Sequence, residues 1–538
     1  MNPEQRKAVA HLIIAIKDRN GKPVNLNVVI ATIESLGIRE VDVEKDFGFD
    51  SILSLANYIY KIFGLKAYND LKNDKQRVVE AKNYKKIAIS SYFSSRAVKQ
   101  FILENGSGIS NFLPVAIQVI SIVLFGISLW TFSKFNNLQS TAVVLGVIVG
   151  FVATGGFVQV IGKQVSYYWY NEDFYMARHS VLNIIKYGTL TILVIFIFSA
   201  LLNFIIPLYS ISFVIICFSY ALFIGFLLLV LAPLYALKQR WMITVSISLG
   251  TALALALHFF TKVPVYFLHW AGIVVAALTS ILYLQWFLKH TLKKRKSKSI
   301  VEPKVTLSIY RNFNYFLYGI FFFLFVFMDR IIAWSSSTNR EIPYLFYYEK
   351  DYEIGMDLAI LFFFLLGGVL EYSISSFNRH LDYFQLIHTY SKFKKFNRKM
   401  TGLYHRHLRL LLFTTMGVAI LLYLIMTQPW GYKAGFDEAL SELSIKVSIL
   451  GSIGYIFLTI GVLNTLYLYT LNQNRKPLVA IIAALLTNFI SGVILSRLIS
   501  YEYAVVGLML GSLVFMLVTF RYTKQFFKNL DYYYYAAY

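Results

Sequence analysis

A single cysteine, Cys217, stands in the 538-residue chain, and it lies inside an apolar run. That excludes a disulfide framework and any cysteine-built metal site, and leaves the thiol a packing role. No Walker loop, no Gly-x-Ser-x-Gly elbow and no His or Cys metal spacing occurs. No enzymatic constellation is therefore legible, and neither a cofactor nor a metal is expected. The N-terminal "MNPEQRKAVAHLIIAIKDRNGK" lacks the uninterrupted apolar core and small-residue cleavage site of a signal peptide. Charge is scarce at 15%, and bases outnumber acids, for a net +23. Nucleic acid does not explain that excess, because Lys and Arg fall between apolar runs with no RNA- or DNA-binding motif around them. "GSGIS", Gly106 to Ser110, reads as a flexible linker.

What fills the chain instead is hydrocarbon. At 57% hydrophobic, with 46 Phe and 39 Tyr, it is too apolar for a set of soluble domains and reads as an all-α, polytopic membrane protein. A bilayer core of about 30 Å needs about 20 apolar residues in a helix. Twelve stretches qualify, near 111–132, 140–161, 181–205, 210–237, 241–260, 263–290, 310–334, 354–377, 408–430, 447–471, 476–499 and 503–527.

Basic residues collect on one set of connections, in "KHTLKKRKSK" (Lys289 to Lys298), "KFKKFNRK" (Lys392 to Lys399), Lys238 with Arg240, and Arg475 with Lys476. The other set holds acidic loops such as "REIPYLFYYEKDYE" and "GFDEALSE". The positive-inside rule then places both termini in the cytoplasm.

The layout repeats. The second and eighth stretches are each followed by a long amphipathic connection, 162–180 and 378–407, and a basic cytoplasmic linker at 291–309 divides six helices from six. "LYALKQR" (Leu234 to Arg240) closes the fourth stretch and "LYTLNQNR" (Leu468 to Arg475) closes the tenth. Both halves start on the same side, so they are expected as two parallel six-helix repeats, 105–290 and 310–538. The two amphipathic connections mix aromatic and basic residues and are expected at the membrane surface, drawn to anionic lipid.

Residues 1–104 differ in kind and read as a small cytoplasmic helical domain. Val9, Leu12, Ile13 and Ile16 recur at helical spacing, Gly37 follows "IESL", and "DSILSLANYIYKIFG" resembles a helix with an Asp or Ser cap and a closing Gly. "FGFDS" is similar to the Gly-x-Asp-Ser of acyl carrier proteins, but Asp-Ser is also an ordinary helix start, and here Ile52 follows the serine.

An ionisable group in hydrocarbon costs at least about 2.5–3.5 kcal/mol, so such groups tend to face the bundle interior. The candidates for a substrate or cavity site are Lys163, Lys186, Arg311, Asp329, Arg330, Glu371 and Arg497. Two readings of "FFFLFVFMDRIIAW" stand. In one, Arg330 snorkels to the headgroups while Trp334 anchors the helix at the interface. In the other, Asp329 faces the central cavity and holds substrate or a coupling cation. Glu371 follows two glycines in "GGVLEYSISS", which would let helices approach closely. His405 and His407 fall in a basic segment and read as surface groups.

Three segments carry a family resemblance. "TGGFVQVIGKQVSYYWYNED" (Thr154 to Asp173), "MDRIIAW" (Met328 to Trp334) and "YEKDYEIGMDLAILFFF" with "SSFNRHLDYF" (Ser375 to Phe384) resemble the PelG-type exopolysaccharide transporters, within the multidrug, oligosaccharidyl-lipid and polysaccharide (MOP) flippases. Lys163, Tyr167 and Gly156 depart from that pattern, where Arg, Asp and Pro are expected. The resemblance implies two six-helix lobes around a central cavity, and outward movement of a polysaccharide or lipid-linked glycan across a bacterial cytoplasmic membrane by alternating access. It implies membrane lipids, the glycan, a cytoplasmic glycosyltransferase and other biosynthesis subunits as partners. Two rivals remain: a cation-coupled small-molecule antiporter of the same fold, and a membrane-embedded glycan polymerase or ligase. The short outer loops count against the second.

Overall fold

The computed structural model describes residues 3–20, 23, 25–73, 112–294, 305–336, 345–387, 393–436 and 438–537. The linker motif at 106–110 and the centre of the basic linker, 295–304, lie outside them. Helix is the only regular structure among the described residues, apart from one isolated bridge between Ile127 and Phe132.

Backbone packing separates the chain into two compact units, 104–373 with 407–524, and 1–103 with 374–406 and 525–538. The N-terminal part of the second holds helices α1 (Pro3–Asn20), α2 (Leu26–Ser35), α3 (Glu40–Asp42, extended by a π turn to Phe47) and α4 (Ile52–Asn73). Their apolar faces close over Val9, Leu12, Ile16, Val29, Ile33, Val43, Phe47, Leu55 and Ile59. Gly37 ends α2 at φ 82°, and the Ser51 hydroxyl accepts from the Ser54 amide at 3.2 Å at the start of α4. Ser51 is thus a helix cap. Gly64 does not stop α4, which continues to Asn73.

The remaining helices are α5 (Leu113–Phe125), α6 (Asn137–Tyr170), α7 (Phe174–Ile205), α8 (Ile211–Ala236), α9 (Arg240–Phe260), α10 (Val265–Lys294), α11 (Val305–Ser335), α12 (Lys350–Ile387), α13 (Phe393–Thr427), α14 (Tyr432–Phe436), α15 (Glu442–Thr470), α16 (Arg475–Leu498), α17 (Ala504–Lys528) and α18 (Leu530–Ala537). Among the described residues, eleven are long and apolar enough to cross a membrane, counting the turn at Tyr501 with α17. This is a multi-pass membrane protein. The first expected span is shorter than the sequence suggests: α5 stops at Phe125, where Gly126 takes φ 70° and the chain doubles back through the Ile127–Phe132 bridge.

The amphipathic connections are not separate segments. The first is divided between α6 and α7, which meet at a tight turn where Glu172 takes φ 60° and Asp173 caps α7 by accepting from the Met176 amide. The second is absorbed into α12 and α13. In the first stretch the helical period continues on either side of that turn; in the second it runs to Ile387 and from Phe393, with 388–392 outside the described residues. At about 1.5 Å per residue, the 38-residue α12 is about 57 Å long and outreaches the hydrocarbon core.

The repeated helix ends share a backbone turn. After α8, the Gln239 amide donates to Leu234 O and Lys238 takes φ 59°; after α15, the Gln473 amide donates to Leu468 O and Asn472 takes φ 57°. Packing between α6 and α11 is tight at two glycines: a β-carbon on Gly155 would stand 2.7 Å from the Gly319 carbonyl oxygen, and one on Gly156 would stand 2.6 Å from the Phe316 ring. Glycine at 156, where the family pattern has proline, is what lets that ring seat.

Candidate functional site

The apolar run that ends α11 carries its two charges into the core. Asp329 and Arg330 are 0% and 5% exposed, and Trp334 is 1% exposed. Arginine snorkelling and an interfacial tryptophan are thereby overturned, because both side chains find partners on α12. The Arg330 guanidinium pairs with Glu353 through Nη1 and with Asp357 Oδ1 through Nη2 at 2.9 Å. Trp334 Nε1 donates to the other Glu353 oxygen at 2.9 Å, and the Tyr352 hydroxyl donates to Asp329 Oδ2 at 2.8 Å.

Of the acids that complete this cluster, the sequence places Glu353 at the end of an acidic loop and Asp357 in the first turn of the eighth expected span. Both are in the first turns of α12, which starts before the expected span, and being four residues apart they share a helix face. That spacing was the available signal. Adjacent residues on a helix diverge by about 100°, so Asp329 and Arg330 take different partners.

Two carboxylates thus share one guanidinium, and a third, that of Asp329, is held by the Tyr352 hydroxyl. Asp329 Oδ1, Arg330 Nε and the Tyr455 hydroxyl are buried without a hydrogen-bond partner. Unpaired buried charge is costly. The Glu353 side chain is 1% exposed and that of Asp357 is 68% exposed, which makes Asp357 the outward end of a chain of pairs leading inward through Arg330. Among the described residues no group of three or more acidic, His or Cys side chains converges on a metal position.

The other candidates lie elsewhere. Glu371 on α12 pairs with Arg240 at the start of α9, and Gly367 beside it has open space around it, so it mediates no close approach. Lys163 on α6 donates to Asn472 Oδ1 at 2.5 Å and lies over the Tyr315 ring. Arg311 is exposed, with its guanidinium 4.6 Å from the Tyr167 ring centre. Arg497 caps α11 by donating to Ser335 O and Oγ at 3.2 and 2.9 Å. Lys186 is exposed on α7. His405 is exposed, whereas His407 is fully buried, its Nδ1 2.6 Å from the Tyr467 hydroxyl. Sequence reasoning missed that burial because His407 lies on the apolar face of a helix whose other face is basic.

The two six-helix halves are bridged at both ends of the bundle. At one end stand the Arg240–Glu371 and Lys163–Asn472 contacts. At the other, the Tyr209 hydroxyl donates to Phe346 O at 3.1 Å and accepts from the Phe346 amide at 2.8 Å, while the Tyr348 amide donates to Thr141 Oγ1 at 3.0 Å. Thr141 and Lys163 lie on the same helix, about 33 Å apart at 1.5 Å per residue.

A family profile for the PelG exopolysaccharide exporters (EPS-E) matches residues 107–535. The chain belongs to the PelG family. Among solved structures, this PelG-family chain is similar to an outward-facing multidrug resistance MATE family transporter of the MOP superfamily, at 12% identity and a TM-score of 0.54, covering 80% of this chain and 96% of that one. It is similar as well to MATE in complex with MaD3S and to MATE in complex with MaD5, each at 12% identity, a TM-score of 0.55 and the same coverage. These likenesses establish the MOP fold. No curated protein matches the chain significantly. Family and fold together make it a glycan transporter.

Proposed function

We propose that this PelG-family chain moves exopolysaccharide, or a lipid-linked glycan, outward across the bacterial cytoplasmic membrane by alternating access between its two halves. Both termini lie in the cytoplasm, where a glycosyltransferase and other biosynthesis subunits deliver the glycan. The chain acts as a carrier and catalyses no reaction. Residues 1–104 form a cytoplasmic helical domain.

Movement is coupled to a monovalent cation, a proton or sodium, taken up by the Asp329, Glu353 and Asp357 carboxylates around Arg330. The carrying observation is the charge imbalance: a fully buried carboxylate oxygen of Asp329 lacks a donor while the only guanidinium of the cluster serves two other acids. Such groups persist in a bilayer when paired, hydrated or useful.

The test is secreted polysaccharide per unit of inserted protein. Asp329→Asn is expected to abolish export while preserving protein level and insertion. In vesicles, a pH jump driving export identifies a proton, and a sodium jump identifies sodium. Export unchanged in Asp329→Asn would leave that carboxylate a structural group.

A further inference from the structure

The two repeated turns exchange their contacts. The turn after α8, in the first half, ends on Arg240, which reaches Glu371 on α12 of the second half. The turn after α15, in the second half, presents Asn472, which accepts from Lys163 on α6 of the first half. In the six-plus-six layout, α6 and α12 are the second helices of their halves. Each half therefore holds the other at the equivalent place, with the same backbone turn and the same unusual left-handed residue, Lys238 or Asn472.

Aromatic rings back both contacts. The Arg240 guanidinium lies 5.2 Å from the Tyr235 ring centre, and the Lys163 ammonium lies 5.4 Å from that of Tyr315. Ring faces support a cation while leaving its donors free to change partners. The Arg240 and Glu371 side chains are 14% and 26% exposed, in contrast to the buried pairs of Arg330. A partly exposed pair is weak enough to break and remake within a transport cycle, whereas a fully buried one is not.

We propose that Arg240–Glu371 and Lys163–Asn472 form a pseudo-symmetric double latch, the gate at the basic end of the bundle, which must open for glycan to enter between the halves. This rests on the transporter reading above and assigns that activity its gating residues. The latch works by difference: it exists only in the state closed at this end, so breaking it shifts the population toward the open one. The Tyr209–Phe346 and Thr141–Tyr348 contacts close the far end through backbone groups, and a side-chain charge change at the latch leaves them intact.

The experiment uses the full chain with the buried Cys217 replaced by serine. Cysteines at Arg240 and Glu371 are joined by a short bis-methanethiosulfonate bridge. Export should be lost on bridging and return on reduction. In parallel, Phe316→Cys, between the halves on Gly156, reports opening by maleimide labelling. Arg240→Glu or Glu371→Arg alone should raise the labelling rate by about fivefold or more, and the two together should restore it. Export undiminished by the bridge, or labelling indifferent to both single changes, would overturn the latch. A bridge-free parent that exports nothing would instead overturn transport itself.

Discussion

Trp334 donates its indole N–H to Glu353 Oε1 at 2.9 Å, across the α11–α12 contact. A tryptophan ending an apolar run usually marks the headgroup region. Here it completes the hydrogen bonding of a buried acid. Trp334→Phe keeps an aromatic ring and removes the donor, so it should cost about 1.5–3 kcal/mol, as for a lost hydrogen bond to a charged group. Thermal unfolding in detergent checks this, and an unchanged melting curve would return Trp334 to a membrane anchor.

Arg330 compensates Glu353 and Asp357 together. Arg330→Met should destabilise by about 3–5 kcal/mol, because it strands a buried carboxylate. Adding Glu353→Gln should recover part of that loss, since the stranded charge is then gone. The comparison is one double-mutant cycle by thermal melting, and additive losses would show that the two side chains do not interact.

Two glycines should respond in opposite directions. Gly319→Ala drives a methyl group toward the backbone of α6 and should cost about 1–3 kcal/mol through overpacking. Gly367→Ala enters open space inside a helix and should gain up to about 1 kcal/mol. Melting of the two variants side by side decides it.

Asn397 ties the last helix to α13. Its amide nitrogen donates to Lys528 O at 3.0 Å and to Asp531 Oδ1 at 2.6 Å, and its oxygen accepts from the Asp531 amide at 3.1 Å. Asn397→Ala should loosen α18 by about 1.5–3 kcal/mol. Chymotrypsin should then cut at Tyr532 and Tyr533 faster, as read from fragment masses, with global melting little changed. Equal cutting rates would refute the tie.

Hydropathy carried most of the fold, because a bilayer demands long apolar helices whatever their partners. The twin helix ends at Leu234 and Leu468 were legible as a repeat because the turn they form needs similar residues. The cluster was half legible. Asp329 and Arg330 stand out as charges in hydrocarbon, but Glu353 reads as the end of an acidic loop and Asp357 as one more residue of the next span, since nothing local marks where that loop becomes a helix. Pairing is a tertiary fact. Glu371 stands beside two glycines in the sequence, yet its partner, Arg240, lies more than a hundred residues away, and a β-carbon on Gly367 would meet only open space.

Helix α6 touches the opposite half at three levels: Thr141 near its start, Gly155 along its length and Lys163 towards its end. If Gly155 is the fulcrum, the arms are about 21 Å and about 12 Å at 1.5 Å per residue. The lever is unequal. A given tilt displaces the Thr141 end nearly twice as far as the Lys163 end and in the opposite sense, so a small movement at the charged latch corresponds to a larger, opposed one on the far side.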